Sequence, residues 1–241
     1  MFYFLFPFMV AYSLPNILMA AAAIIPAVYL LVRVYKMDEI EKEPKSLIGK
    51  LIIMGILSAV ASIFTETIGN ALINESTLFG KFLMYFVVVA LSEEGFKYLF
   101  LKKGSWADPN FNYQFDGVVY AVSVSLGFAL WENICYVFSY GFSTALVRAV
   151  TAVPGHACFG VFMGTWYGMA KRYSNEGNEE KADRCRKAAV FLPVLAHGAY
   201  DFIASMEGDY GWIVFIVFVA GMFFYTNRLI KQDSAADVRI G

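Results

Sequence analysis

Positive charge is not in surplus in this 241-residue sequence, where 19 Lys and Arg face 20 Asp and Glu for a net charge of −1. A chain that neutralises phosphates needs a basic excess. None is present, nor is a basic stripe with interleaved aromatics, so nucleic-acid binding is excluded. Cysteine is scarce as well. Cys135, Cys158 and Cys185 show no Cys-x-x-Cys spacing and two of them fall in apolar runs, which excludes a disulfide framework and a thiolate metal site. Histidine is scarcer still, with His156 and His197 alone. The N-terminus has no basic leader region and no small-residue cleavage site. Its first apolar segment is therefore expected to stay in the mature chain as its own insertion signal. Neither an internal repeat nor a separate soluble domain is legible.

What is present is hydrocarbon. Apolar residues make up 59% of the chain and mean hydropathy is +0.57, far above soluble domains. The pattern predicts an all-α, multi-pass bundle in the cell membrane, a single membrane domain 1–241 with spans near 14–32, 47–68, 80–101, 113–138, 145–170, 188–206 and 212–229. The aromatic cluster Phe2, Tyr3, Phe4, Phe6 and Phe8 is expected at the interface, with Pro7 and Pro15 preventing one straight N-terminal helix. Glu43-Pro44 reads as a helix stop. The links at 33–50, 102–112 and 171–187 and the tail at 228–239 are basic, and alternate with links at Asn70, Ser139 and Glu207–Asp209 that hold almost no Lys or Arg. Positive residues stay in the cytoplasm, so the N-terminus is expected outside and the C-terminus inside.

Against this background the stretch Ser92-Glu93-Glu94-Gly95-Phe96-Lys97 stands out. Each charge costs roughly 2.5–3.5 kcal/mol at the centre of a lipid-facing helix, so the trio needs compensation. Lys97 lies one turn after both acids and faces them, leaving a net negative patch in which one carboxylate can hold a proton while the other acts as a base. A buried structural ion pair is the alternative. Helical rise places His156 about 15 Å, and Glu93 about 20 Å, below the outer ends of their helices. His197 and Asp201 lie about 14 and 20 Å above the inner end of theirs, one turn apart on one face. These depths overlap, and both histidines of the chain fall in the shared zone. Glu132-Asn133, in the outer half of the fourth span, supplies hydrogen bonds to the site or to a helix contact. Asp116 is close to the inner interface and about 160° around the helix from Glu132, and is treated as a separate supporting group. Gly160, Gly164 and Gly168 form a small-residue face for helix packing that continues one turn further to His156.

These motifs in order, Glu93-Glu94-x-x-Lys97, Phe115-Asp116-Gly117 with Tyr120, Gly127-Phe128-Ala129-x-x-Glu132-Asn133, His156 with its glycines, and His197-Gly198-x-Tyr200-Asp201-Phe202, resemble the PrsW type of glutamic intramembrane protease. That type is related to the type II CAAX-prenyl proteases and bacteriocin-immunity proteins. The resemblance implies an endopeptidase that cuts in or near a transmembrane segment of a membrane-anchored protein, the type member acting on an anti-sigma factor. The wider group has Asn where Asp201 falls. An ionised Asp there repels an oxyanion, whereas a protonated one donates to it.

Amide hydrolysis needs water, a base and donors for the developing oxyanion. The expected catalytic residues are Glu93, Glu94, His156 and His197, with Lys97, Asp201, Glu132, Asn133 and Asp116 in support. Glu93 or Glu94 activates a water shared with His156, and His197 stabilises the tetrahedral intermediate or protonates the leaving amine. No cofactor is expected, because His-Glu-x-x-His is absent. The alternative is a zinc hydrolase using His156, His197, Glu94 and Asp201. The same groups also suit a proton-coupled transporter or channel, or a non-enzymatic scaffold.

Overall fold

The computed structural model describes residues 14–208 and 210–241, with side chains from residue 17 onward. The aromatic cluster Phe2–Phe8 with Pro7, and Asp209 of the acidic turn, lie outside the described residues. The described chain is a helical bundle whose elements are α1 (Leu14–Met37), α2 (Lys45–Leu72), α3 (Leu78–Phe82), a π-helical stretch (Leu83–Ala90), α4 (Leu91–Ser105), α5 (Asp116–Tyr140), α6 (Phe142–Val150), α7 (Ala152–Asn175), α8 (Glu179–Ala204) and α9 (Gly211–Ala235). Among the described residues, five helical segments are long and apolar enough to cross a membrane: Ile17–Met37, Lys45–Leu72, Asp116–Tyr140, Phe142–Asn175 and Gly211–Ala235. The two columns outside that set, 78–105 and α8, carry the charged motifs.

Helix α5 is the axis of the bundle. Every residue from 116 to 129 is buried, and α5 packs on α7, α2 and α1. Such a helix has no lipid-facing side along that stretch, and its neighbours approach it through glycine. A Cβ added at Gly164 would stand 2.4 Å from Val118 Cα, and one at Gly55 would stand 2.0 Å from Val124 O. The glycine face of α7 is thus a backbone-to-backbone seam, the small-residue packing used where lipid gives no hydrophobic drive. Further out, α8 packs on α7 and on the π-helical stretch, and Phe86 fills the space beside Gly198.

Several boundaries differ from the sequence reading for local reasons. The fifth span is broken at Thr151 (φ −122°, ψ −74°) into α6 and α7. Pro154 has no N–H to continue the ladder across the join. The hydrophilic segment 171–187 is nearly all helix, because Gly177 (φ 76°) ends α7 and Asn178 caps α8 by accepting from Lys181 N at 3.2 Å. Pro44 precedes the first residue of α2 and starts a helix there, accepting from Leu47 N at 2.9 Å. Helix α5 begins at Asp116 rather than Tyr113, since the Asp116 carboxylate reaches back to the main-chain N–H groups of Asn112 and Tyr113 at 3.0 and 2.7 Å.

The α1–α2 link, the α4–α5 link, the α7–α8 link and the C-terminal tail gather at one end of the bundle. Gln114 N donates to Val238 O (2.9 Å), Ile240 N to Asn112 O (2.7 Å), Lys171 Nζ to Trp106 O (2.9 Å) and Ser234 Oγ to Met37 O (2.6 Å). At the opposite end Lys81 Nζ donates to Ser205 O at 3.1 Å.

Candidate active site

Acids from α4 meet imidazoles from α7 and α8 in one buried cluster. Lys97 Nζ is its centre, 2.7 Å from Glu94 Oε1, 3.4 Å from Glu93 Oε2 and 3.2 Å from His156 Nδ1. The ammonium also lies 3.9 Å from the centre of the Phe128 ring, a favourable seat for a desolvated cation. His197 Nδ1 is 2.9 Å from Glu94 Oε1 and its Nε2 is 3.2 Å from Asp201 Oδ2. His156 Nε2 is 2.8 Å from Glu132 Oε2. The two imidazole centroids are 5.4 Å apart, and Phe159 stacks on His197 at 4.7 Å. Ser125 Oγ donates to the His156 carbonyl at 2.6 Å, pinning α7 to α5 at this level.

The two glutamates occupy different settings. Glu94 is fully buried, with one oxygen bound by Lys97 and His197 and with Oε2 lacking a hydrogen-bond partner. Glu93 instead lines a cavity of about 290 Å3, shared with His156, His197, Glu132, Tyr200 and Asp201. That volume holds several waters. A larger, apolar cavity of about 370 Å3 between α1, α7 and α9 contains none of the expected catalytic groups.

Of the residues expected from sequence, Glu93, Glu94, Lys97, Glu132, His156, His197 and Asp201 converge. Asn133 stays just outside the cavity, donating to Ala23 O (2.9 Å) and accepting from Arg148 Nε (2.9 Å). Asp116 is not brought to the cluster: sixteen helical residues separate it from Glu132, about 24 Å along α5. Among the cavity residues that escaped the sequence reading, two are charges within apolar helices. Arg148 pairs with Glu132 at 2.9 Å, and Glu66 lines the wall with a buried, unpartnered Oε1. Both are lone charges in apolar helices, so the intramembrane-charge argument that singled out Glu93 applied equally to them.

A carboxylate facing a polar cavity inside a bundle of apolar helices, with two imidazoles lining the same cavity, suits a membrane-embedded hydrolase. The comparisons with known proteins narrow this class. A family model described as PrsW family intramembrane metalloprotease matches residues 43–226. Protease PrsW of Oceanobacillus iheyensis is 38% identical over 183 residues, covering 76% of this chain and 81% of that protein. Protease PrsW of Bacillus subtilis is 33% identical over 223 residues, 90% and 96% of the two chains. That of Clostridioides difficile is 34% identical over 204 residues, 82% and 83%. No solved structure matches. The chain belongs to the PrsW family of intramembrane proteases, and is with it a multi-pass membrane peptidase.

The family description names a metal, and the donor types permit one: Glu93, Glu94 and His156 each offer a ligand atom within 4.8 Å of the other two. The arrangement does not fit it. Both nitrogens of both imidazoles already have protein partners, and the Lys97 ammonium is bound to all three members of that donor group. A zinc ion needs a free imidazole lone pair and no cation in its place.

Proposed function

We propose that Glu93 is the general base of a metal-free peptide hydrolysis and that Glu94 is the fixed acid which positions Lys97 and His197. The observation that carries this reading is the asymmetry of the pair: Glu93 faces the cavity, while Glu94 is engaged and sealed off. A cavity water gives a proton to Glu93 as its oxygen attacks the scissile carbonyl carbon. The negative charge that develops on the carbonyl oxygen is met by His197, a cavity-lining residue whose Nε2–H turns from Asp201 Oδ2 (3.2 Å) to that oxygen. When the C–N bond breaks, the proton held by Glu93 or one from His197 passes to the leaving amine. His156, held between Glu132 and Lys97, fixes the Glu132 carboxylate on the cavity wall, and that carboxylate with Glu93 orients the water. Asp201, where the wider group has Asn, orients His197 in this scheme.

We infer seven spans, the charged columns 78–105 and α8 crossing alongside the five apolar ones, with the N-terminus outside and the C-terminus in the cytoplasm. Supporting this, the basic links and the tail share one end of the bundle. The substrate is a membrane-anchored protein whose single span reaches the cavity, an anti-sigma factor being the class the family resemblance implies.

The test is cleavage of reconstituted single-span peptides, with products identified by mass. Glu93→Gln and His197→Ala proteins, inserted normally, are expected to produce no fragments, and a zinc-selective chelator, with Mg2+ and Ca2+ kept in excess, is expected to leave wild-type cleavage unchanged. Cleavage by Glu93→Gln at the wild-type rate overturns the assignment. Loss of cleavage in chelator, restored by zinc, overturns the metal-free chemistry.

A further inference from the structure

A second polar cluster lies at the far end of α5 from the catalytic cavity and takes no part in the hydrolysis. Asp116 opens α5 and is 0% exposed, while Asp38 and Glu43, in the α1–α2 link, are 1% and 2% exposed. One carboxylate oxygen of each lies within 4.8 Å of those of the other two. Part of this group is satisfied: Glu43 Oε2 accepts from Tyr120 Oη at 2.5 Å, and Asp116 Oδ2 accepts the two main-chain N–H groups described above. Asp116 Oδ1 and Asp38 Oδ2, however, are buried with no hydrogen-bond donor beside them, and the Asp116 and Glu43 carboxyls lie within hydrogen-bond reach of each other.

Counter-charge is sparse too, the Lys42 ammonium acting on Asp38 from beyond ion-pair distance. Among the described residues no Lys, Arg or His forms an ion pair with any of the three. Lys42, on the same link, donates instead to the carbonyls of Tyr35 (3.0 Å), Lys36 (3.1 Å) and Asp38. Asp237 of the tail adds another acid close by, its Oδ1 accepting from Phe115 N at 2.8 Å. Three buried carboxylates from two separate parts of the chain, with bare oxygens and no ion-paired cation, are an all-oxygen ligand set. Such sets suit hard divalent ions rather than zinc, which prefers imidazole and thiolate.

We propose that Asp38, Glu43 and Asp116 hold a hard divalent cation of the Mg2+ or Ca2+ type, clamping the α1–α2 link onto the start of α5. The ion is structural, and the site is independent of the hydrolytic reading. It also gives chelators a target in this protein outside the catalytic cavity.

The test uses the full chain in nanodiscs, stripped with chelator, and Mn2+ as a paramagnetic probe, with Ca2+ in a parallel thermal-unfolding series. One Mn2+ per chain is expected to bind, and Ca2+ is expected to raise Tm. The Asp38→Asn/Glu43→Gln protein is expected to lose at least tenfold in Mn2+ affinity, whereas the Glu93→Gln/His197→Ala protein keeps wild-type affinity. Wild type with nitroxide labels locates the ion without touching a ligand, should the acid variant fail to fold. A label at Val238→Cys is expected to be broadened by bound Mn2+, and one at Tyr210→Cys, at the opposite end, is not. Absence of Mn2+ and Ca2+ binding to wild type at millimolar concentration overturns the proposal. So does binding unchanged in Asp38→Asn/Glu43→Gln, binding lost in Glu93→Gln/His197→Ala, or broadening at 210 instead of 238.

Discussion

Glu93 and Glu94 are adjacent in sequence and chemically identical, and one helical step separates a side chain on a wet wall from one sealed against Lys97 and His197. The consequence is measurable. Glu93→Gln keeps the size and burial of the side chain and is expected to lower cleavage by at least about 100-fold, the usual scale for removing a general base, with Tm unaltered. Lys97→Met behaves in the opposite way. It leaves two buried carboxylates without their cation and is expected to lower stability by about 3–5 kcal/mol in thermal unfolding, because an unpaired buried charge costs more than its pair contributed. Arg148→Ala falls between: Glu132 and Asn133 lose their shared guanidinium, His156 loses a fixed partner, and kcat is expected to fall while the protein still folds. A wild-type kcat for Arg148→Ala shows that the pair only holds α6 in place.

At the scale of elements, the seam between α5 and α7 decides where His156 stands. A methyl at Gly164 would strike Val118 Cα and Gly117 O on the facing helix, neither of which can rotate away. Gly164→Ala is therefore expected to cost about 1–3 kcal/mol and to lower kcat more than it raises KM. Gly49→Ala, on α2 with open space around it, is expected to change stability by less than about 1 kcal/mol. Equal effects of the two substitutions on Tm rule out the seam as the constraint. The π-helical stretch has a comparable role for α4. Leu91 N bonds to Phe86 O, five residues back, which turns the following helix relative to α3 and alters which face Glu93 presents.

Over the whole molecule, the apolar helix α5 is the axis, and the columns around it, the charged ones included, turn apolar side chains such as Leu99 and Phe191 outward. The exposed hydrophobic side chains of α1, α2 and α9, such as Ile25, Phe64 and Phe224, suit lipid. A cysteine at Asn178 is expected to react with impermeant maleimide only from the cytoplasmic side of intact cells, and one at Glu207 only from outside. Reaction of both from the same face defeats the seven-span arrangement. Among the apolar helices the sequence reading was close, because hydropathy is additive along the chain and needs no partner. It placed helical cores within a few residues and missed the break at Thr151 and the helical 171–187 segment, where one proline and one cap outweighed average polarity.

The sequence by itself determined that this chain lies in a membrane as helices, and that its costly intramembrane charges, Glu93, Glu94, Lys97, His156, His197 and Asp201, belong together. Both follow from transfer free energies, which depend on residue type and run length. Only the tertiary structure decided which glutamate lines the cavity, that Lys97 sits among Glu93, Glu94 and His156, that Glu66 and Arg148 share the cavity, and that Asp116 joins Asp38 and Glu43 instead. Those outcomes depend on helix rotation and on backbones that touch through glycine, and neither is encoded in any single helix's composition.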